Sequence, residues 1–98
     1  MKACYHIRLS PIRIAVLDVC LVEDFFLITR INVPVEFRSQ GYGTALMEKV
    51  TEDADLEEVT LALEICPYGE LDYDQLQSWY ERFGFEEVDG NFFKRLPQ

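Results

Sequence analysis

Two glycines one residue apart, Gly41 and Gly43, follow a nearly apolar run at 25–33 and precede an amphipathic segment that begins at Thr44. Glycine costs roughly 0.5 to 1 kcal/mol of extra backbone entropy inside regular structure. The pair therefore indicates a turn, or a closely approaching ligand, that no Cβ would tolerate. The order of these segments predicts a strand, a tight loop and a helix.

Apolar patterning extends this order along the chain. Alternating or β-branched apolar residues predict strands at 4–9, 12–17, 25–33, 59–66, 85–88 and 91–95. The run at 25–33 is expected to be a central strand that is buried on both faces. Asp89-Gly90, between the last two strands, predicts a two-residue hairpin turn.

Two segments have helical spacing. Apolar residues three or four positions apart predict an amphipathic helix at 44–53. A second helix is expected at 75–83, with Asp72 or Asp74 as its N-cap and Gly84 as a left-handed residue at its C-terminal end. The first helix therefore lies inside a strand-helix-strand unit.

The 98-residue chain is expected to form one compact domain spanning 1–98. It has 49% hydrophobic residues but no apolar run near the roughly 20 residues that cross a bilayer, so we expect a soluble protein without a membrane segment. The first ten residues alternate apolar and polar side chains, unlike a signal peptide. Cys4, Cys20 and Cys66 are an odd, scattered set, which predicts free thiols in the cytoplasm and no metal site.

Acidic residues are concentrated in the second half of the chain. The net charge is −9, and thirteen acidic residues but a single basic one, Arg82, lie from Glu52 to Asp89. Nucleic acid is not an expected partner, because phosphate binding needs a basic surface. The acidic half is expected to attract amines, lysine side chains or basic proteins, or else only to keep the domain soluble.

Three phosphate-binding patterns can be compared with the segment RSQGYGTAL at 38–46. A P-loop needs Lys and then Ser or Thr after its last glycine, and the dinucleotide fingerprint needs Gly or Ala where this chain has Leu46. The third pattern, Arg38-x-x-Gly41-x-Gly43 between a strand and a helix start, fits. In it, successive backbone N–H groups and the positive end of the helix converge on a pyrophosphate.

The segment resembles the coenzyme A loop of the GNAT superfamily of N-acetyltransferases, in which Arg or Gln is followed by two residues, Gly, one residue, and Gly or Ala. A second segment, WYERFGFEE at 79–87, is similar to the family's later junction between a helix and a strand. The resemblance covers 25–93. It implies an α/β (α+β) GNAT-like fold, with a mixed, largely antiparallel twisted sheet, about two helices, and the coenzyme A loop between the central strand and a helix.

The resemblance also implies that acetyl-CoA is the acyl donor and that no metal is needed. The main chain of Ile31, Asn32 and Val33 stands where the family binds the pantetheine arm. The residues of the pyrophosphate loop are Arg38, Ser39, Gln40, Gly41, Tyr42, Gly43 and Thr44. Many members carry a coenzyme-binding Asn seven residues before the motif tyrosine, where this chain has Tyr73.

In the family's direct transfer mechanism an unprotonated amine attacks the thioester carbonyl, a main-chain N–H polarises that carbonyl, and an acid protonates the departing thiolate. The resemblance implies that the Val33 N–H is the donor and that Tyr80 is the general acid. For the general base, Glu23, Asp24 and Glu64 are candidates beside the expected cleft, and Glu64 interrupts an otherwise apolar strand. The structural alternatives are a solvated Glu64 and a Tyr80 that only packs beneath the sheet.

Typical members place two helices before the central strand to wall the acceptor pocket, and the segment before this strand has no room for both. We therefore expect an open, acid-rich acceptor side, which suits a lysine on a protein, as in some small phage and prokaryotic members, or a homodimer that supplies the missing wall. The predicted function is acetyl-CoA-dependent acetyl transfer to a primary amine, most simply a protein lysine. The alternative is a non-catalytic GNAT-like binding module that docks its acidic face to a basic partner protein.

Overall fold

The computed structural model describes residues 1–66 and 71–98. In chain order the elements are strands β1 (Cys4–Ser10), β2 (Arg13–Val22) and β3 (Phe25–Asn32), a 3₁₀ turn (Val35–Phe37), helix α1 (Tyr42–Glu57), strand β4 (Leu61–Glu64), helix α2 (Tyr73–Glu81), and strands β5 (Glu86–Asp89) and β6 (Phe92–Arg95). The strands form one sheet in the order β1-β2-β3-β4-β6-β5. Pair β3–β4 is parallel and the other pairs are antiparallel. The predicted mixed, largely antiparallel sheet with two helices is confirmed.

The apolar stripe of α1 forms the centre of the core. Its inward residues, which are at most 2% exposed, are Leu46, Met47, Val50 and Ala54. They pack in one cluster with apolar residues of the strands, among them Leu17, Leu61 and Phe93. This burial holds α1 against the sheet, and so fixes the position of its first turn, where Gly43 lies.

Several element boundaries differ from the predicted ones. Both helices begin two residues earlier than expected, because Gly41 and Asp72 are their N-caps. Strand β2 is longer than the predicted strand at 12–17, because it pairs with β3 as far as Val22↔Phe25. Gly84 has φ +96°, the left-handed conformation predicted for it.

The hairpin turn predicted at Asp89-Gly90 is wrong by one residue. Asp89 is still in β5 and pairs with Phe92, so the turn consists of Gly90 and Asn91. The ladder shifts register between Glu87 and Asp89, which moves the end of the strand relative to its partner. Gly90 adopts φ +61° within the turn.

The expectation that β3 is buried on both faces is also wrong. Of its eight residues only Ile28 is buried, and Thr29 and Arg30 are exposed. The second half of the strand borders a cavity, so its side chains face open space instead of a second packed layer.

The three cysteines, all within the described ranges, are free as predicted. Cys66 is exposed, because it lies past the end of β4. Neither α1, with 16 residues, nor α2, with 9, has the length and apolar character that a membrane-spanning helix needs.

Candidate functional site

Strands β3 and β4 are neighbours over only a short length. Their parallel pairing comprises Phe26↔Leu61 and Leu27↔Ala62. Just beyond it, β3 carries an extra residue, Thr29, where the register with β2 shifts. A β-bulge of this kind bends a strand and increases its twist. The sheet is therefore open between the C-terminal ends of β3 and β4.

A cavity of about 620 Å³ occupies this opening. Its walls come from the ends of β3 and β4, the loop before α1, the first turn of α1 and one side of α2. Pockets of roughly 300 to 1,000 Å³ hold small-molecule and cofactor ligands in proteins. A shallower depression on the outside of α2 has none of the predicted site residues among its described lining.

The cavity brings together nearly all of the residues that the sequence singled out. Nine of the ten predicted coenzyme-binding residues line it, namely Ile31, Asn32, Val33, Arg38, Ser39, Gly41, Tyr42, Gly43 and Thr44. Gln40 does not line it. Tyr80 and Glu64 are also on its wall, whereas Glu23 and Asp24 lie in the β2–β3 turn, outside it.

The loop before α1 has an unusual backbone. Gly41 is the N-cap of α1 and has φ +88°, and Ser39 has φ +64°, which is rare for a residue with a side chain. Arg38 donates from Nε to the carbonyl oxygen of Val33 at 2.9 Å, and so ties the loop to the end of β3. Strained residues held in this way concentrate at ligand-binding sites.

The first turn of α1 is open. Within the described residues no side chain caps it, and it contains no acidic residue. The first N–H groups of a helix have no partner inside the helix, and they carry a partial positive charge. Those of Tyr42, Gly43 and Thr44 therefore form a ready anion-binding group at the cavity wall.

Packing alone does not explain Gly43. A Cβ built on it would lie 3.5 Å from the Trp79 ring, an ordinary contact distance, and Gly43 is within α1. An alanine would therefore fit, and glycine costs roughly 1 kcal/mol relative to alanine in a helix. A ligand that approaches the backbone closely accounts for the glycine where the fold does not.

Tyr80 joins the cavity to the core. Its side chain is 8% exposed and makes edge contacts with Trp79 at 5.1 Å and Phe85 at 6.1 Å between ring centroids. Both the packing role and the role of an acid at the cavity wall are compatible with this position. Rigid packing of the ring fixes where its hydroxyl lies.

Glu64 is the last residue of β4 and is exposed at the cavity wall. Its Oε1 accepts a hydrogen bond from Asn91 Nδ2 at 3.1 Å. The Cys66 thiol lies 4.0 Å from the same oxygen. The carboxylate is thus both solvated and oriented by a neighbouring side chain.

Tyr73, which replaces the coenzyme-binding Asn of many family members, is not part of the cavity wall. Its hydroxyl donates to the carbonyl oxygen of Gly90 at 3.2 Å, which ties α2 to the β5–β6 turn. Partial burial raises the pKa of Tyr73, with smaller contributions from the carboxylates of Glu87 and Asp74, so the hydroxyl keeps its proton at neutral pH.

Sequence reasoning missed part of the wall. The additional lining residues include Arg30, Phe37, Gln75, Leu76 and Trp79. The Nε atom of Arg30 forms a salt bridge with Oδ2 of Asp18 at 2.8 Å. Two of these residues could have been predicted from their position relative to Tyr80. Trp79 directly precedes Tyr80 in the second motif, and Leu76 lies four residues before it, on the same face of α2.

Comparison with known proteins gives the family. The sequence model of an acetyltransferase (GNAT) domain matches residues 7–87. No curated protein sequence matches the chain.

Several solved structures have a similar fold. The anti-CRISPR protein AcrVA5 gives a TM-score of 0.71 at 22% identity, over 95% of this chain and 98% of that one. The ribosomal-protein-S18-alanine N-acetyltransferase from Escherichia coli gives 0.67 at 23% identity, over 87% of this chain and 60% of that one. The PaiA N-acetyltransferase from Thermoplasma acidophilum, in complex with coenzyme A, gives 0.60 at 14% identity, over 84% and 52%.

The chain thus spans nearly all of the first structure and little more than half of the other two. At these identities the similarity shows the fold alone. The family model covers most of the chain. The chain belongs to the GNAT acetyltransferase family.

Proposed function

We propose that the chain binds acetyl-CoA in the cavity between β3 and β4 and transfers its acetyl group to a primary amine, namely a lysine of a protein. The observation that carries the proposal is the uncapped first turn of α1 at the cavity wall, with Gly43 where the fold would accept a side chain. Solved structures of similar fold include complexes with coenzyme A and with AcCoA, which supports the choice of ligand.

The residues present fit a pyrophosphate. The N–H groups of Tyr42, Gly43 and Thr44 supply hydrogen-bond donors and the positive end of the helix dipole. Arg38 is exposed beside them and adds a full positive charge. The main chain of β3 and the residue after it, Val33, border the same cavity and offer donors and acceptors to an amide-containing arm.

Three groups of the chain would each have one role in acetyl transfer. Bound acetyl-CoA supplies an acyl group activated as a thioester. The Val33 N–H donates to the carbonyl oxygen of that acyl group, and Glu64 accepts the amine proton, directly or through water. Tyr80 gives its proton to the sulfur as the C–S bond breaks and the C–N bond forms.

A protein lysine is supported as the acceptor by charge. The acidic segment from Glu52 to Asp89 includes Glu64, which lies on the cavity wall, so a cationic side chain would be attracted to this region. Either the cavity is used by one open copy of the chain, or a second copy supplies a wall. Sedimentation with and without acetyl-CoA distinguishes these two arrangements.

Calorimetric titration of acetyl-CoA into the wild type and Gly43→Glu tests the binding part. We expect saturable binding by the wild type and a loss of affinity of at least about a hundredfold in the variant, because a carboxylate then occupies the anion-binding turn. Ser78→Glu adds the same charge at an exposed residue of α2 that does not line the cavity, and is expected to bind normally. Equal affinity of Gly43→Glu and the wild type would remove the proposed site.

Acetyl transfer is tested with labelled acetyl-CoA and three kinds of acceptor: lysine-containing peptides, peptides with only a free N-terminus, and small amines. We expect label on the lysine peptides and about a hundredfold less in Tyr80→Phe, since general acid catalysis contributes at least this much in other enzymes. Label on small amines alone would exclude the protein acceptor. Binding of acetyl-CoA without transfer to any acceptor would favour the non-catalytic binding module.

A further inference from the structure

Asn91, in the turn between β5 and β6, makes three hydrogen bonds around the end of β4. Its carbonyl oxygen accepts from the Ile65 N–H at 2.8 Å. Its side-chain Nδ2 donates to the Ile65 carbonyl oxygen at 3.2 Å and to Glu64 Oε1 at 3.1 Å. One residue of a neighbouring turn therefore holds both the backbone at the end of β4 and the carboxylate that faces the cavity.

The chemistry of these partners fixes the orientation of the amide. A backbone carbonyl and an ionised carboxylate only accept hydrogen bonds, so the NH₂ group of Asn91, and not its oxygen, has to face them. The ladder between β4 and β6 ends at Glu64↔Phe92, so Asn91 continues the hydrogen bonding by one residue beyond the regular sheet. This is the point at which β3 and β4 have already separated.

The turn between β5 and β6 is also hydrogen-bonded to helix α2. Tyr73 donates to the carbonyl oxygen of Gly90, the residue before Asn91. Tyr73 is the first residue of α2, the helix that carries Tyr80. Hydrogen bonds therefore connect the helix of the proposed acid, through the β5–β6 turn, to the proposed base.

We propose that Asn91 is a positioning residue that holds the Glu64 carboxylate at the cavity wall in the orientation needed to accept a proton from the acceptor amine. The role in transfer rests on the function proposed above, whereas the contact with Glu64 does not. Glu64 is exposed at the end of a four-residue strand, where an unrestrained glutamate would sample many rotamers. The hydrogen bond from the Asn91 amide restricts Glu64 to the rotamers that keep this contact.

The first test does not need acetyl transfer. The side-chain NH₂ resonances of Asn91 are followed by ¹⁵N NMR from about pH 3 to 6, the range in which glutamate side chains ionise. We expect a single titration step in the wild type and its disappearance in Glu64→Gln. Tyr73→Phe, which loosens the same turn without altering the amide, is expected to keep the step. Resonances that do not change with pH, or that change equally in Glu64→Gln, would contradict the hydrogen bond between Asn91 and Glu64.

The second test is kinetic. Asn91→Ala, and the nearly isosteric Asn91→Asp, are expected to lower kcat about tenfold with an unchanged KM for acetyl-CoA, because a displaced catalytic group slows transfer and not coenzyme binding. In the Glu64→Gln background neither change is expected to reduce kcat further. Equal losses in both backgrounds would contradict the positioning role. If the wild type acetylates no amine, the proposed function falls, and the NMR titration still decides whether Asn91 holds Glu64.

Discussion

The two helices begin in opposite ways. At the start of α2, Asp72 accepts from the Gln75 N–H at 2.9 Å, and Gln75 Oε1 accepts from the Asp72 N–H at 2.9 Å. At the start of α1, Gly41 is left-handed, and no side chain of the described residues caps the turn. The fold therefore uses the N–H groups of Asp72 and Gln75 at the start of α2, while the first N–H groups of α1 have no side-chain cap among the described residues and remain available to an anion.

The C-terminal end of α1, unlike its first turn, is bonded to other parts of the fold. Asp55, in the last turn, accepts two hydrogen bonds from the Arg95 guanidinium at 2.8 and 3.0 Å and one from the Gln98 N–H at 2.9 Å. The Arg95 side chain is 4% exposed and also donates to the Phe83 carbonyl. The C-terminal end of α1, far from the cavity, is thus bonded to the rest of the fold, whereas its N-terminal end at the cavity has no side-chain cap in the part of the chain that the structure describes. The first end contributes to stability, and the second is available for binding.

The largest effect on stability is expected from Asp55→Asn. It leaves the Arg95 charge buried without its partner, a change that costs about 3 to 5 kcal/mol in fully buried pairs and less here, because the Asp55 side chain is partly exposed. Urea denaturation measures this loss, and acetyl-CoA affinity is expected to stay within twofold of the wild type. Asp18→Asn breaks the more exposed pair with Arg30 and is the matched control, with an expected cost below about 1 kcal/mol. Equal costs for the two variants would contradict the special role of the Arg95 pair.

The same pair predicts how stability depends on pH. Hydrogen bonds from Arg95 hold the pKa of Asp55 below its ordinary value. A carboxyl with a lower pKa in the folded state stabilises the fold at pH above its unfolded pKa, and this contribution is lost as the pH falls through the folded pKa. Acid titration of the wild type should therefore show a loss of stability below about pH 4 that is smaller in Asp55→Asn. Parallel pH profiles would argue that other carboxylates dominate.

The two glycines at the start of α1 are expected to respond in opposite directions. Gly41→Ala places a side chain at φ +88°, although no described atom lies within 4 Å of the new Cβ, so backbone strain alone should cost about 1 to 2 kcal/mol. Gly43→Ala should leave stability unchanged or raise it by up to about 1 kcal/mol. Both should weaken acetyl-CoA binding, measured by calorimetry beside thermal unfolding. A destabilised Gly43→Ala with normal affinity would show that Gly43 serves the fold.

Features set by residues close in sequence were predictable, and features set across elements were not. The glycine loop, α1 and the position of Gly84 followed from local spacing, and nine of ten predicted coenzyme residues share one cavity. The Asn91–Glu64 contact joins residues 27 apart and depends on the register of β5 and β6, which shifts by a bulge. The exposure of β3 depends on the cavity beside it, which an apolar run cannot reveal.

The smallest effect is expected at the start of α2. Asp72→Ala removes an exposed N-cap and should cost about 1 kcal/mol of stability, because the Gln75 N–H loses its partner. Asp74→Ala removes a first-turn charge without removing the cap, and should cost no more than about 0.5 kcal/mol. Neither residue lines the cavity between β3 and β4, so acetyl-CoA affinity should be unchanged in both. A tenfold loss of affinity in Asp72→Ala, with a normal melting temperature, would show that the capping box of α2 also contributes to binding, and the difference between the two helix starts would then have no functional meaning.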